Sequence, residues 1–499
     1  MKVSSLLVLG LSVAVSVTAG EVAIRLLDGY KVFSVALRKS TPDPPARPHH
    51  DARPDLRHVD AIRLASGVDR AWYALDPPEV PRYPVDAAMQ ARWERYPTDP
   101  FGAFMAWNPT YLKRELCAGN TMGSLGILSD FYVYDPVEPG PYPIFRHVPR
   151  ISPPGWFVSN SFGWRGPDLR LEKPANTIRI AFVGASTTIS SAPFSHPEFI
   201  GYWLNLWVTS RKLPFRIEVI NAGRTGIDSS SIAAIVRQEL VPVDPDMVVY
   251  YEGANQFPLT ATLRLPAKLA AKPSVTFRKR TVAEDYSAIV RRVLIAQSIF
   301  NGGDGREPRK PSYPTMWPAD VDEQNPDVTR LPASMQLDAV LANLDSMRTA
   351  LAASGGELAM SSFIWMVYPG MVIDLNRHLP LYQYLNDTYW PLSYAHIRRM
   401  ADFQNRVFEN YAKRHDLVFL DVARDFPRDQ DLFGDAIHMI PEGLRLQAWT
   451  YLQQLIPLIE ARVQSGRWPT APRPGGSKSD PASVPPHLVS KKDILAQCH

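Results

Sequence analysis

From Arg179 onward the chain alternates between two apolar patterns. Arg179 to Val183 reads as a buried strand, Phe215 to Ile220 as a second strand, and the short, nearly all-apolar Met247 to Tyr251 as a strand covered on both faces. Between them, Phe199 to Val208 and Ser229 to Leu240 repeat their apolar positions at helical spacing. The rhythm resumes with helix 335–353, strand 358–367, helix 394–414, strand 417–421 and a closing helix at 441–463. Strands alternating with helices predict a parallel sheet between two helical layers, an α/β three-layer αβα sandwich of the flavodoxin-like kind.

Elsewhere the periodicity fails. The chain of 499 residues carries 47 prolines, clustered outside the alternating region, which argues against one compact domain. Residues 26–154 read as a Pro-rich irregular extension, in which phrases such as Pro44-Pro-Ala-Arg-Pro48 forbid long helices. Its aromatics Trp72, Trp93, Phe101, Phe104 and Trp107 suit partial packing against the main domain, and residues 40–60 read as linker. Residues 257–334 interrupt the alternation with the basic group Lys268, Lys272, Arg278, Lys279 and Arg280, then an apolar stretch near Ile289 to Phe300. A lid or membrane-facing ledge and a plain loop with one packed helix both fit that insertion. A second one, Pro369 to Ser393, carries Tyr382, Tyr384, Tyr389 and Trp390, either as stacking surfaces for a sugar or as loop packing. Residues 466–499 have the composition of a disordered tail.

The first 25 residues read as a signal peptide or signal anchor: Met1-Lys2, an uncharged apolar run from Val3 to Ala19, then Glu21 and Arg25. Val17-Thr-Ala19 offers a cleavage site, yet the run approaches the roughly 20 residues of a membrane span, so cleaved and anchored forms both fit. An uncleaved helix would leave its amino end in the cytoplasm, and the main domain periplasmic or extracellular. The net charge of +4 is small, and no basic stripe interleaved with aromatics appears, so no nucleic-acid partner is expected. Two cysteines, Cys117 and Cys498, exclude a disulfide framework and a cysteine-rich metal site. A bond between them is disfavoured at this level, because it would order the tail. His49, His50 and His58 lack companion ligand spacing and read as solvated linker histidines rather than a metal site.

Candidate chemistry falls in four blocks. Gly184-Ala-Ser186 follows the first strand and places a hydroxyl at the strand's carboxyl end, where a helix start can hold a developing oxyanion. Asn221-Ala-Gly-Arg-Thr-Gly226 and Gly253-Ala-Asn255 follow the next two strands. Asp435-Ala-Ile-His438 precedes the closing helix, at a spacing that lets an acid orient an imidazole. A second match to that spacing, Asp55-Leu-Arg-His58, precedes the serine and has no strand leading into it; it reads as coincidence.

With these blocks in view, residues 155–465 resemble the SGNH/GDSL hydrolase superfamily, which carries Ser, Gly, Asn and His in this order. The resemblance implies Ser186 as nucleophile, Asp435 and His438 as acid and base, and an oxyanion hole from Ser186, Gly226 and Asn255. Asn160-Ser-Phe-Gly-Trp-Arg-Gly166 looks like a lead-in of exported bacterial members. The chain departs from the family at Ala185, where Asp is usual, and at Gln256, where Asp is again usual. Neither change removes a catalytic side chain, so substrate preference is what they put in doubt. The α/β-hydrolase elbow Gly-x-Ser-x-Gly is unmatched, since Thr188 occupies its second glycine position.

The expectation is therefore an exported serine esterase acting on a small-molecule or glycan ester, with acetyl esters of carbohydrates as one candidate class. No cofactor or metal is required by this chemistry. An O-acetyltransferase modifying a surface polysaccharide, and an inactive glycan-binding protein that keeps the fold, are the alternatives.

Overall fold

The computed structural model describes residues 3–37, 56–93, 143–153, 156–255, 282–300, 305–310, 317–332, 335–375 and 377–471, with short pieces at 113, 116–119, 132–134, 495–496 and 498. The prolines 44–48, the aromatics Phe101, Phe104 and Trp107, His49, His50, Gln256, the basic group 268–280 and most of the tail lie outside the described residues. The chain forms two compact units: residues 1–53, 269–311 and 370–393 make one, and 54–268, 312–369 and 394–499 the other. The larger unit thus takes in the extension from Pro54. The smaller gathers the amino terminus with the middle of the first insertion and nearly all of the second.

The larger unit is built on a five-stranded, wholly parallel sheet: β1 (Thr177–Gly184), β2 (Arg216–Asn221), β3 (Met247–Tyr251), β4 (Glu357–Ser361) and β5 (Val418–Leu420), in spatial order β2-β1-β3-β4-β5. All residues of β1 and β3 are buried, including Arg179, whose guanidinium is paired with Glu218. Side chains alternate between two cores. Ala181, Val183, Val248, Tyr250, Leu358 and Met360 face one, which also holds Ile232 of helix α2 (Ser229–Ile235), Leu344 of α3 (Asp338–Ala353) and Phe408 of α4 (Tyr394–Arg414). Phe182 and Tyr251 face the other, meeting His196 of α1 (His196–Ser210) and Tyr451 of α5 (Pro441–Gln464). This is the three-layer αβα sandwich that the strand–helix alternation predicts.

The boundaries follow local chemistry. Ser195 and Glu198 form a capping box that starts α1, three residues before its apolar periodicity begins at Phe199. Asp228 caps α2 by accepting from the Ser230 and Ser231 N–H groups. The expected strand at 358–367 ends at Ser361 because the Phe363 N–H and carbonyl are taken by the Asn405 side chain instead of a neighbouring strand.

The described extension lies on the larger unit through aromatic contacts and capped carbonyls. Tyr73 is buried against Trp203 and Trp449, the Trp207 indole donates to the Ser66 carbonyl, and Arg445 donates to the Tyr73 carbonyl. Cys117 and Cys498 are disulfide-bonded, with Cα atoms 5.3 Å apart, which corrects the expectation that the tail stays unpaired. A bond across a separation of 381 residues removes much conformational freedom from the unfolded chain, which favours the folded state.

In the smaller unit, one helix runs Val3–Leu27 without a break at the Val17-Thr-Ala19 cleavage motif, and Val13, Val15 and Val17 on it are exposed. Its Glu21 accepts from the Ala288 and Ile289 N–H groups at the start of the helix Ala288–Phe300. Burial opposes that carboxylate, but these donors and Arg25 hold its pKa down to about 2. Among the described residues no helix is long and apolar enough to cross a membrane. In the second insertion Tyr382 is buried, Tyr384 and Tyr389 pack on each other, and the Lys310 ammonium sits over Trp390.

Candidate active site

Ser186 opens a one-turn helix directly after β1. The turn is tight enough that a Cβ on Gly184 would lie 2.1 Å from the Tyr251 carbonyl oxygen and 2.2 Å from Thr188 Oγ1, so glycine is required there. The loop behind the helix is held by Arg165, 3% exposed, from the lead-in block. Its guanidinium donates to the carbonyls of Ile189, Ser190, Ala192 and Pro193 and to the Glu198 carboxylate. The lead-in arginine is thus a clamp on the nucleophile loop.

Asp435 and His438 sit in the last loop before α5, as their spacing predicts. Asp435 Oδ1 accepts the Ile437 and His438 backbone N–H groups, closing the turn, while Oδ2 accepts from His438 Nδ1 at 2.7 Å. His438 Nε2 accepts from the Ser186 hydroxyl at 2.7 Å. Ser186, His438 and Asp435 therefore form one continuous hydrogen-bonded relay. For Asp435, burial favours the neutral acid, but the His438 charge, its hydrogen bond and the two backbone donors outweigh this and hold the carboxyl below its ordinary range. For His438, burial favours the neutral imidazole, and the Asp435 carboxylate, helped by the more distant charge of Glu252, reverses the balance and raises the pKa above its ordinary value. The other Asp-x-x-His pattern plays no part: His58 is paired with Asp429 at 2.9 Å.

The oxyanion candidates other than Ser186 are Gly226 and Asn255. Gly226 has φ +73°, a left-handed conformation that favours glycine. Asn255 Nδ2 donates to the Ile227 carbonyl at 3.0 Å, tying its loop to the residue after Gly226 and leaving its second amide hydrogen unspent on that bond. Among the described residues, neither the Ser186 nor the Gly226 N–H is given to another backbone acceptor. Asn221 braces the second block: its Nδ2 donates to the Thr188 carbonyl and to Ser195 Oγ, and its Oδ1 accepts from Gly223 N–H. All five residues singled out from sequence, Ser186, Gly226, Asn255, Asp435 and His438, thus lie in loops at or beyond the carboxyl ends of the strands.

One member of the site escaped the sequence reading. Glu252, 1% exposed, follows β3 directly, and its carboxylate bonds to the backbone of both the Ser186 and the Asn255 loops. Oε2 accepts from the Ala185 N–H at 3.2 Å, and Oε1 accepts from Ala254 and Asn255 N–H at 2.8 and 2.9 Å. Burial, only partly offset by these donors, pushes its pKa up to about 7. The available signal was the acid itself: a lone charge closing the otherwise apolar Met247-Val-Val-Tyr-Tyr251 strand needs a structural partner.

No protein-family model matches the chain, and no curated protein matches its sequence. Among solved structures, it is similar to a GDSL-like lipase from Bacteroides thetaiotaomicron at 12% identity, covering 58% of this chain and 88% of that one, with a TM-score of 0.26. An acetyl xylan esterase from Geobacillus stearothermophilus is similar at 12% identity, with coverages of 57% and 97% and a TM-score of 0.32. A lipase/acylhydrolase from Enterococcus faecalis is similar at 14% identity, with coverages of 56% and 95% and a TM-score of 0.29. In its four sequence blocks the chain resembles the SGNH/GDSL hydrolase superfamily.

Proposed function

We propose that this protein is an exported serine esterase that hydrolyses acyl esters of small molecules or glycans. The observation that carries the reading is the relay in which His438 bridges Ser186 and Asp435 through two hydrogen bonds of 2.7 Å. In the proposed cycle the Ser186 proton moves to His438 Nε2 as Oγ bonds to the ester carbon, and the carbonyl electron pair moves onto oxygen. In this reading that oxyanion is held by the Ser186 and Gly226 N–H groups and the Asn255 amide. Collapse breaks the bond to the alcohol, which leaves with the proton from His438. Water then attacks the acyl-enzyme with His438 again as base, and Ser186 is restored. Every proton transfer in the cycle is served by these side chains.

Export is supported by the uncharged amino-terminal run and by the Cys117–Cys498 disulfide, since such bonds persist in oxidising compartments. The test of the catalytic reading is hydrolysis of p-nitrophenyl acetate and butyrate by the full chain beside Ser186→Ala. Turnover that survives the substitution, or inertness of the parent toward both esters, would sink it.

A further inference from the structure

A cavity opens at the carboxyl ends of β4 and β5, beside α4, and its lining includes none of the active-site residues. Its volume is about 380 Å³, within the range of small-ligand sites. Its lining includes the aromatics Phe363, Phe419 and Phe426 and four arginines, Arg398, Arg406, Arg424 and Arg428, against the three carboxylates Asp402, Glu409 and Asp421.

The charges do not cancel locally. Asp402 is engaged by Arg398 at 2.6 Å, Glu409 by Lys413 at 2.6 Å, and Arg424 lies by Asp421 and Asp425 at 3.4 and 3.1 Å. Arg406 and Arg428 differ: the described bonds of their guanidiniums run to backbone carbonyls, Glu323 at 3.2 Å and Val367 at 3.1 Å. A carbonyl satisfies an N–H but supplies no countercharge. A guanidinium presents five donors in a planar fork, so each of the two has donors left after its carbonyl bond.

We propose that this cavity is an oxyanion-binding site, taking a carboxylate or phosphate carried on a sugar-sized body, with Arg406 and Arg428 supplying the charge. The site is separate from the proposed esterase centre and does not depend on its chemistry. The two share one wall: Arg428 holds the Val367 carbonyl, while the adjacent Met366 N–H donates at 2.8 Å to the carbonyl of Ala436, between Asp435 and His438. A ligand drawing Arg428 inward therefore acts on the segment that braces the catalytic loop.

The experiment is isothermal titration of the full chain with glucuronate, with inorganic phosphate and with uncharged glucose, repeated on Ser186→Ala, Arg428→Gln and the Arg406→Gln/Arg428→Gln pair. Expected is saturable binding of glucuronate or phosphate that weakens with added salt, no binding of glucose, and at least a tenfold rise in Kd for Arg428→Gln, with Ser186→Ala unchanged. Binding of glucuronate alone assigns the site to an acidic sugar, and binding of phosphate to a phosphorylated one. Arg428 is exposed, so the single variant tests the site even if the pair fails to fold. The proposal is overturned if neither anion binds, if the arginine variants bind as the parent does, or if Ser186→Ala abolishes binding, which would put the anion in the catalytic centre.

Discussion

The Glu252 carboxylate accepts the Ala185 N–H at 3.2 Å with one oxygen and the Asn255 N–H at 2.9 Å with the other, so a single buried charge spans the nucleophile loop and an oxyanion loop. Both loops leave the ends of adjacent strands, and no covalent feature fixes their separation. Replacing Glu252 by Gln puts an amide NH2 against one set of backbone donors, so one loop must shift. Turnover should fall by about tenfold or more while KM changes little, since the loss is felt at the developing oxyanion. Steady-state kinetics on p-nitrophenyl acetate check it; a pure KM effect would contradict the assigned place of Glu252.

The same acid sets a pH signature in stability. Its folded pKa of about 7 lies above the ordinary carboxyl value, so its contribution is fully present below that ordinary value and is lost as pH rises through about 7. Between pH 5 and pH 8 the parent should lose on the order of 3 kcal/mol relative to Glu252→Gln, which does not titrate. Urea unfolding of both proteins at the two pH values measures this difference, and a constant gap would show that Glu252 titrates normally.

Catalysis should carry its own pH limb. His438 must be neutral to accept the Ser186 proton, and Asp435 and Glu252 together raise its pKa above 6.5. Activity therefore rises with pH through an apparent pKa above 6.5, and Glu252→Gln moves that limb to lower pH by removing one of the two charges. Asp435→Asn should cost about 10⁴-fold in kcat by losing the acceptor that fixes the imidazole tautomer. A pH–rate profile of kcat/KM across pH 5 to 9 for the three proteins reads both effects.

Asn255 is tested by amputation. Its amide is the side-chain donor of the proposed oxyanion hole, so Asn255→Ala should lower kcat by about 10²- to 10³-fold with KM within a few-fold. Its tether to the Ile227 carbonyl is lost as well, so the melting temperature is measured alongside. A large kcat loss without a melting shift separates the two roles.

The strands and the four blocks were legible because each rests on local chemistry. The runs 179–183 and 247–251 can be buried on both faces in only one kind of layer, and residues that follow such strands fall at the sheet's carboxyl edge whatever the loops do. Relations across the chain were not legible. Glu252 gains its meaning from Ala185, 67 positions away, and the disulfide joins Cys117 to a tail whose composition alone predicts disorder. The arginine cavity is likewise assembled by the packing of α4 on the loops after β4 and β5, and no spacing in the sequence announces it.

The closest backbone approach in the site gives the sharpest steric prediction. A Cβ at residue 184 would sit 2.1 Å from the Tyr251 carbonyl oxygen, a backbone atom of the neighbouring strand that cannot rotate away. Gly184→Ala must therefore separate β1 from β3 or tilt the Ser186 turn, and overpacking of this kind costs about 1–3 kcal/mol or more. The hydroxyl then leaves hydrogen-bond reach of His438, so activity should fall further than stability. Gly434→Ala is the matched control in the catalytic loop's own neighbourhood, where a new methyl would meet its nearest atoms at 3.7 and 3.9 Å, ordinary contact distances. Esterase turnover and thermal melts of the two variants decide the matter: near-parent turnover in Gly184→Ala would mean that the strand-to-helix turn is not what aims Ser186 at His438.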